Sequence, residues 1–242
     1  MDKRAVSVAS EHKQHCWSCG DMRAAHFCVA CGRVQPPQPT DYFSFFGLER
    51  KLNIDEAKLE REFYALSRKL HPDLYAHSSH QEQNWSLEQT SQLNDAYRRL
   101  RDPIARTEYL LRQEGVDLDE QSKSATEKAR STGKLKKQIV PPDLLEEVFE
   151  LNMQLEEARM NKKMGEPDPN LAKELEQTKQ RLEKKYDELM SELKSCWDEW
   201  DAMIDRGGPD EERSVLRDKM VDVLNRRSYL RNLVRDVNEV LE

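Results

Sequence analysis

Three stretches of this chain, at about 143–164, 170–206 and 210–241, run without a glycine or proline and place apolar residues at helical spacing. Only Gly165-Glu166-Pro167-Asp168-Pro169 and Gly207-Gly208-Pro209 separate them, and both read as helix stops. Leu144, Val148, Leu151 and Leu155 share a face, as do Leu171, Leu175, Leu182, Leu189, Leu193, Cys196 and Trp200. Leu216, Met220, Val223, Leu230, Val234, Val237 and Leu241 form a third stripe. Helices joined by such short connections pack as antiparallel neighbours, so the expected fold class is all-α with an elongated C-terminal three-helix bundle. At about 1.5 Å per residue the middle helix would be roughly 55 Å long. Cys196, lying on a core stripe, reads as an inert buried thiol.

Upstream the texture changes twice. Residues 1–40 are rich in Cys and His and close on Val34-Gln35-Pro36-Pro37-Gln38-Pro39-Thr40, a proline linker that continues neither helix nor sheet. Residues 41–115 alternate helical patterns with breaks at Gly47, Pro72, Pro103 and Gly115 and hold most of the aromatics, as a compact helical domain would. Residues 116–142 are polar and repetitive, too poor in apolar side chains to bury a face, and read as a linker closed by Pro141-Pro142. The bundle occupies 143–242.

Charged residues make up 35% of the chain and apolar residues 37%, which excludes a membrane span. The net charge of −7 is uneven. Residues 1–40 carry five basic against three acidic groups, 41–113 carry 11 against 12, and the remainder carries 23 against 31. No broad basic footprint for a phosphate backbone results, so no nucleic-acid partner is expected. The first fifteen residues include Asp2 and Glu11 and no apolar run, which points to a cytoplasmic setting, with a mitochondrial matrix second.

Cys16-Trp17-Ser18-Cys19-Gly20 and Cys28-Val29-Ala30-Cys31-Gly32 are two copies of one pattern. Thiolates two residues apart can hold one tetrahedral ion from a tight turn, and two such turns make Cys16, Cys19, Cys28 and Cys31 a closed four-sulfur set. Structural zinc in a small knuckle or ribbon module is the leading expectation. Iron in the same cage and a redox-active dithiol pair stay open, since spacing does not separate them. His12, His15 and His26 are superfluous as ligands. Loss of one cysteine should unfold this module alone, because so few residues cannot hold a core without metal.

From Asp55 to Leu70, Leu59, Phe63, Leu66 and Leu70 mark the buried side of an amphipathic helix, with Lys58, Arg61, Arg68 and Lys69 elsewhere on its surface. His71-Pro72-Asp73 ends it. A second helix, roughly 82–100, packs Leu93, Ala96, Tyr97 and Leu100 back against the first, so that the tripeptide stands at the open end of a helical hairpin. Asp41-Tyr42-Phe43-Ser44-Phe45-Phe46-Gly47-Leu48, the helix ending in His71-Pro72-Asp73, and Leu93-Asn94-Asp95-Ala96-Tyr97-Arg98-Arg99-Leu100-Arg101-Asp102-Pro103 together resemble a J-domain, in that order. Arg106-Thr107-Glu108-Tyr109-Leu110-Leu111 and Leu144-Leu145-Glu146-Glu147-Val148-Phe149-Glu150-Leu151 extend the resemblance to the HscB-type co-chaperones of iron–sulfur cluster biogenesis, in their longer, zinc-carrying form.

That resemblance implies a protein without catalytic machinery of its own that stimulates an HscA- or DnaK-type chaperone ATPase. His71, Pro72 and Asp73 would be the trigger, and Lys58, Arg61, Arg68 and Lys69 its electrostatic contacts, speeding encounter and fixing orientation. Leu74 departs from the pattern, standing where many relatives carry Lys.

The first bundle helix has a second apolar face. With Leu144, Val148, Leu151 and Leu155 turned inward, the helical period leaves Leu145, Phe149, Met153, Met160 and Met164 on the flank and far side, among Glu146, Glu150 and Glu157. This suits a partner groove with an acidic rim. The resemblance implies an IscU-type iron–sulfur scaffold as that partner, bound through Leu145, Phe149, Glu150, Met153 and Glu157, with Tyr229 from the last helix. Two rival readings stand beside it: a zinc-ribbon nucleic-acid or regulatory protein with a helical oligomerisation region, and a redox enzyme built on the two cysteine pairs. Self-association stays open under each.

Overall fold

A computed structural model describes residues 15–21, 26–116, 144–166 and 168–242. The linker expected at 116–142 lies, apart from Val116, outside the described residues, as do His12 and Pro141-Pro142. The described residues form helices and turns, plus one isolated antiparallel bridge between Phe27 and Val34. No helix among them is long and apolar enough to cross a membrane.

Contacts divide the chain into two compact units. One comprises Met1–Arg50 with Ile54–Arg106, and the other Lys51–Asn53 with Thr107–Glu242. The cysteine segment, expected as a domain of its own ending at residue 40, therefore shares a unit with the hairpin. Val34, next to its prolines, is fully buried in a core with Phe45, Leu70, Leu93 and Ala96.

In the first unit α1 (Tyr42–Phe45) is capped by Asp41, whose carboxylate accepts the Ser44 N–H. The same carboxylate pairs with Arg50 at 2.9 Å. Helix α2 (Glu56–Leu70) starts at Asp55, which accepts from the Lys58 N–H, as N-cap aspartates do. Helix α3 (His80–Arg101) begins two residues earlier than its apolar stripe suggests. Ser79 and Glu82 exchange hydrogen bonds in a capping box there, satisfying donors that the first turn would otherwise leave unpaired. The two helices run antiparallel: Phe63 stacks on Tyr97 at 4.1 Å between ring centroids, and the Leu70 carbonyl meets Ser86 and Thr90. Helix α4 (Pro103–Gln113) follows; Arg106, the last residue of this unit, is buried, as are Thr107, Leu110 and Leu111, which belong to the second.

The second unit contains the three expected long helices, α5 (Leu145–Met164), α6 (Pro169–Arg206) and α7 (Asp210–Leu241). Gly165 and Gly207 end α5 and α6 at φ +76° and +63°, a backbone region in which side-chain-bearing residues are strained. Asp168 caps α6 through the N–H groups of Asn170 and Leu171. Glu147 pairs with Lys185 and Gln154 with Glu174, and Glu199 pairs with Lys219 and Arg206 with Glu212, so each helix runs antiparallel to the next. Leu144, Val148, Leu151 and Leu155 pack with Leu171, Leu175 and Leu182 and with Leu230, Leu233 and Val237 from α7.

Helix α5 accompanies only part of the 38-residue α6. Near the other end of α6, the Leu52 and Asn53 N–H groups donate to the two oxygens of Asp201 at 2.7 and 2.8 Å, Asn53 Nδ2 donates to Asp198 at 3.0 Å, and Lys51 pairs with Asp205 at 2.6 Å. Cys196 is fully buried, and burial pushes its thiol up, as expected of an inert core cysteine.

Trp200 is the largest fully buried side chain, whereas Phe149 is 68% exposed. Trp200→Ala should destabilise the bundle by about 3–5 kcal/mol in urea unfolding, and Phe149→Ala should stay within about 0.5 kcal/mol of the parent.

Candidate functional site

Helix α2 stops where proline forces its predecessor out of helical backbone: His71 sits at φ −56°, ψ 126°. Pro72 then opens a short 3₁₀ turn, Pro72–Tyr75. Within it the Leu74 N–H donates to the His71 carbonyl at 3.0 Å, and His71 Nδ1 accepts the Asp73 N–H at 3.3 Å. Tyr75 donates its hydroxyl proton to the Lys69 carbonyl, tying the turn to the last turn of α2. The functional groups point outward. The His71 side chain is 56% exposed and that of Asp73 91%, with Nδ1 3.6 Å from the carboxylate.

Lys58, Arg61, Arg68 and Lys69 are all exposed, in one sector of α2 that also carries exposed Tyr64. The structure thus brings all seven residues of the expected chaperone-contact set onto α2 and its terminal turn. Leu74 is exposed as well, an apolar knob beside the tripeptide.

On α5, Leu145, Phe149, Met153, Met160 and Met164 are each more than half exposed, with Glu146, Glu150 and Glu157 also exposed. An apolar row of this length on a helix otherwise committed to a core has the character of an interaction face. Tyr229 does not join it. Its ring is 8% exposed in the core shared by α5, α6 and α7, and burial, helped by Asp236, pushes its hydroxyl up.

The four cysteines converge. Their Sγ atoms lie within 4.8 Å of one another, with Cys16–Cys31 at 3.7 Å and Cys19–Cys28 at 3.5 Å. Thiolates around a tetrahedral ion at about 2.3 Å are separated by about 3.75 Å, so the set fits such an ion. Each close pair spans the two turns. Both turns share a backbone design: the Gly20 N–H donates to the Cys16 carbonyl and the Gly32 N–H to that of Cys28, with φ near +75° and +71° at the glycines.

Ionisation of the sulfurs is uneven. Burial opposes the Cys16 thiolate, but the N–H groups of Cys19 and Ser18, the Gln35 amide and the Cys31 thiol outweigh it and bring the thiol down to about 6. At Cys19 the Asp21 N–H favours the thiolate, yet the sulfur of Cys28, burial and the remaining thiols push it up to about 12. Four thiolates so close cannot ionise together unaided; a bound cation removes the conflict.

His26 ligates nothing here. Its Nδ1 lies 2.8 Å from Gln89 Oε1 and its Nε2 3.0 Å from the Phe45 carbonyl. Gln89 in turn donates to the Gln35 carbonyl at 2.7 Å, Trp17 meets Trp85 edge-on at 5.5 Å, and Arg33 reaches Glu82 at 3.5 Å. The module therefore grips α3 through residues to which the sequence reading gave no role. One signal for them existed: Glu82, Ser86 and Gln89 continue the buried row of Leu93, Ala96 and Leu100, and polar residues on an apolar stripe ask for a polar partner.

A helical hairpin with an exposed His-Pro-Asp turn at its end, joined in one chain to a three-helix bundle, defines a J-domain protein with a second helical unit. Residues 140–206, from the start of the bundle through α6, match the family model described as the HSCB C-terminal oligomerisation domain. The co-chaperone protein HscB homolog of Azoarcus sp. is 30% identical over 84% of this chain and 94% of its own length. The iron–sulfur cluster co-chaperone protein HscB homolog of Arabidopsis thaliana is 34% identical over 62% of this chain; the chain spans 54% of that relative's length. The crystal structure of human co-chaperone protein HscB has the same fold, with a TM-score of 0.62 at 24% identity, covering 93% of this chain and 98% of the human one. The chain belongs to the HscB co-chaperone family.

The converged sulfurs should take up one divalent ion per chain, with zinc preferred over magnesium. Because protons compete for the thiolates, the ion should leave as pH falls from 7 towards 4. A metal-release titration monitored by a chromogenic chelator checks both, and Cys19→Ser should abolish stoichiometric uptake.

Proposed function

We propose that the chain is a co-chaperone of iron–sulfur cluster assembly that holds an IscU-type scaffold on the exposed face of α5 and stimulates an HscA- or DnaK-type ATPase through His71-Pro72-Asp73. The observation that carries this reading is the outward-facing tripeptide. Asp73 spends its side chain on solvent rather than on the protein's own core, directly beyond the basic sector of α2, and the His71 imidazole stays more than half exposed while its Nδ1 accepts the Asp73 N–H. A tight turn needs no free carboxylate at its surface.

In this mechanism the chain holds no substrate chemistry. Lys58, Arg61, Arg68 and Lys69 attract an acidic surface on the chaperone and set its orientation, since exposed charges change encounter rates more than affinities. Asp73, almost wholly exposed, then offers an unshielded carboxylate to a basic group on the partner. Hydrolysis happens on the partner's own nucleotide. Leu145, Phe149 and Met153 would lose water against the scaffold's apolar surface, with Glu150 and Glu157 as a charged rim. Tyr229 would support that face from within the core rather than touch the partner. Zinc, as the four-cysteine ion, would be structural, since sulfur fills every position.

Mixing the chain with its cognate chaperone and scaffold should raise steady-state ATP turnover severalfold. Asp73→Ala should remove the increase while leaving the helical circular-dichroism spectrum unchanged; an unresponsive ATPase with the intact chain sinks the reading. Separately, Leu145→Ala combined with Phe149→Ala should weaken capture by immobilised scaffold at least tenfold, with ATPase stimulation in the absence of scaffold preserved.

A further inference from the structure

The cysteine knuckles contact residues that flank the His-Pro-Asp tripeptide on both sides. On one side Val34 packs in the core that contains Leu70, the residue immediately before the tripeptide, and Lys69 Nζ stands 6.0 Å over the Phe27 ring. On the other side Arg33 reaches Glu82, which also closes the capping box that starts α3 just after the turn. Tyr75, inside the turn, packs against the same core.

The arrangement on α3 is the decisive detail. Ser86 donates to the Leu70 carbonyl at 2.6 Å and so holds the end of α2 in place. Glu82 and Gln89, which the knuckles grip along with Trp85, lie four before and three after Ser86. Residues so spaced share one helix face. The knuckles therefore hold the strip of α3 from which the end of α2 is suspended, and Gln89, only 1% exposed, is bonded to both His26 and Gln35.

We propose that Gln89, with Arg33 and Val34, makes the four-cysteine module a brace for His71-Pro72-Asp73, so that an intact module sets how well the turn docks. This rests on the reading of that turn as the chaperone trigger. Gln89 is a positioning residue: it touches neither the turn nor a partner, but fixes the helix strip to which the turn is tied. With the knuckles attached, the turn is presented in one geometry and docking pays no ordering cost. With them detached, the end of α2 and residues 71–75 sample several geometries, and a partner must select one.

Gln89→Ala decides the question because it leaves all four sulfurs in place. In the full chain, zinc content should equal that of the parent, amide hydrogen exchange at residues 70–75 should quicken about tenfold, and exchange around Trp200 should not change. The chain concentration needed for half-maximal ATPase stimulation should rise about tenfold with the maximal rate kept, a split that general loss of folded protein does not produce. Gln89→Glu, which keeps an acceptor for His26 but lacks the donor to the Gln35 carbonyl, should fall between the two. Stripping zinc with a chelator in the presence of reductant should reproduce the quickened exchange at 70–75. Exchange at these residues equal to the parent's, in Gln89→Ala or in the stripped chain, overturns the brace. A protected turn that nevertheless leaves the ATPase unstimulated overturns the docking reading and leaves the brace standing.

Discussion

The carbonyl of Leu70 is the point on which the hairpin depends. A helix leaves its last carbonyls without intrahelical donors, and Pro72, with no N–H, removes one of the local remedies. The structure answers from across the hairpin: Ser86 and Thr90 both donate to that one oxygen, at 2.6 and 2.9 Å. Two side chains on adjacent turns of α3 thus fix where α2 stops. The residues after it are free to turn outward because their predecessor is already satisfied.

What the sequence reveals of this and what it hides follow from one distinction. Apolar periodicity survives in the sequence, so the stripes of α2, α5, α6 and α7 and their faces are legible, down to Cys196 on the buried side. Tetrahedral sulfur geometry is legible from spacing for a similar reason: two short turns allow few other arrangements. Long-range hydrogen bonds carry no period. Nothing near Asp201 announces that its carboxylate will take the N–H groups of Leu52 and Asn53, nearly 150 positions away. Gln89 and Ser86 give only the hint of a polar side chain in an apolar row. Tyr229 shows the converse, since its ring can serve a core or a surface, and only packing decides that it goes inside.

The exposed row on α5 raises an energetic question that its own unit does not answer. Leu145, Phe149, Met153, Met160 and Met164 contribute little to the bundle, because each leaves more than half its surface in water. A sequence selected for stability alone would place polar residues there, at no loss to the core below. Methionine, unbranched and polarizable, would adapt to the contour of the scaffold proposed above. The neighbouring Glu146, Glu150 and Glu157 are exposed and put charge beside the row.

The cysteine module obeys a different economy. A knuckle this small has no core of its own, so whatever holds it together must come from a metal or from its neighbours. Here it has recourse to both. Val34 and Phe27 lend it the hairpin's core, while the sulfurs supply a site at which an ion would offset the mutual repulsion of four thiolates. The consequence runs in both directions. An ion that binds the folded module and not the unfolded chain stabilises whatever folds with the module, and Leu70, Leu93 and Ala96 do. Loss of a cysteine ligand is then felt by α1, α2 and α3, not by the knuckles alone, because a shared core does not let one side unfold without exposing the other.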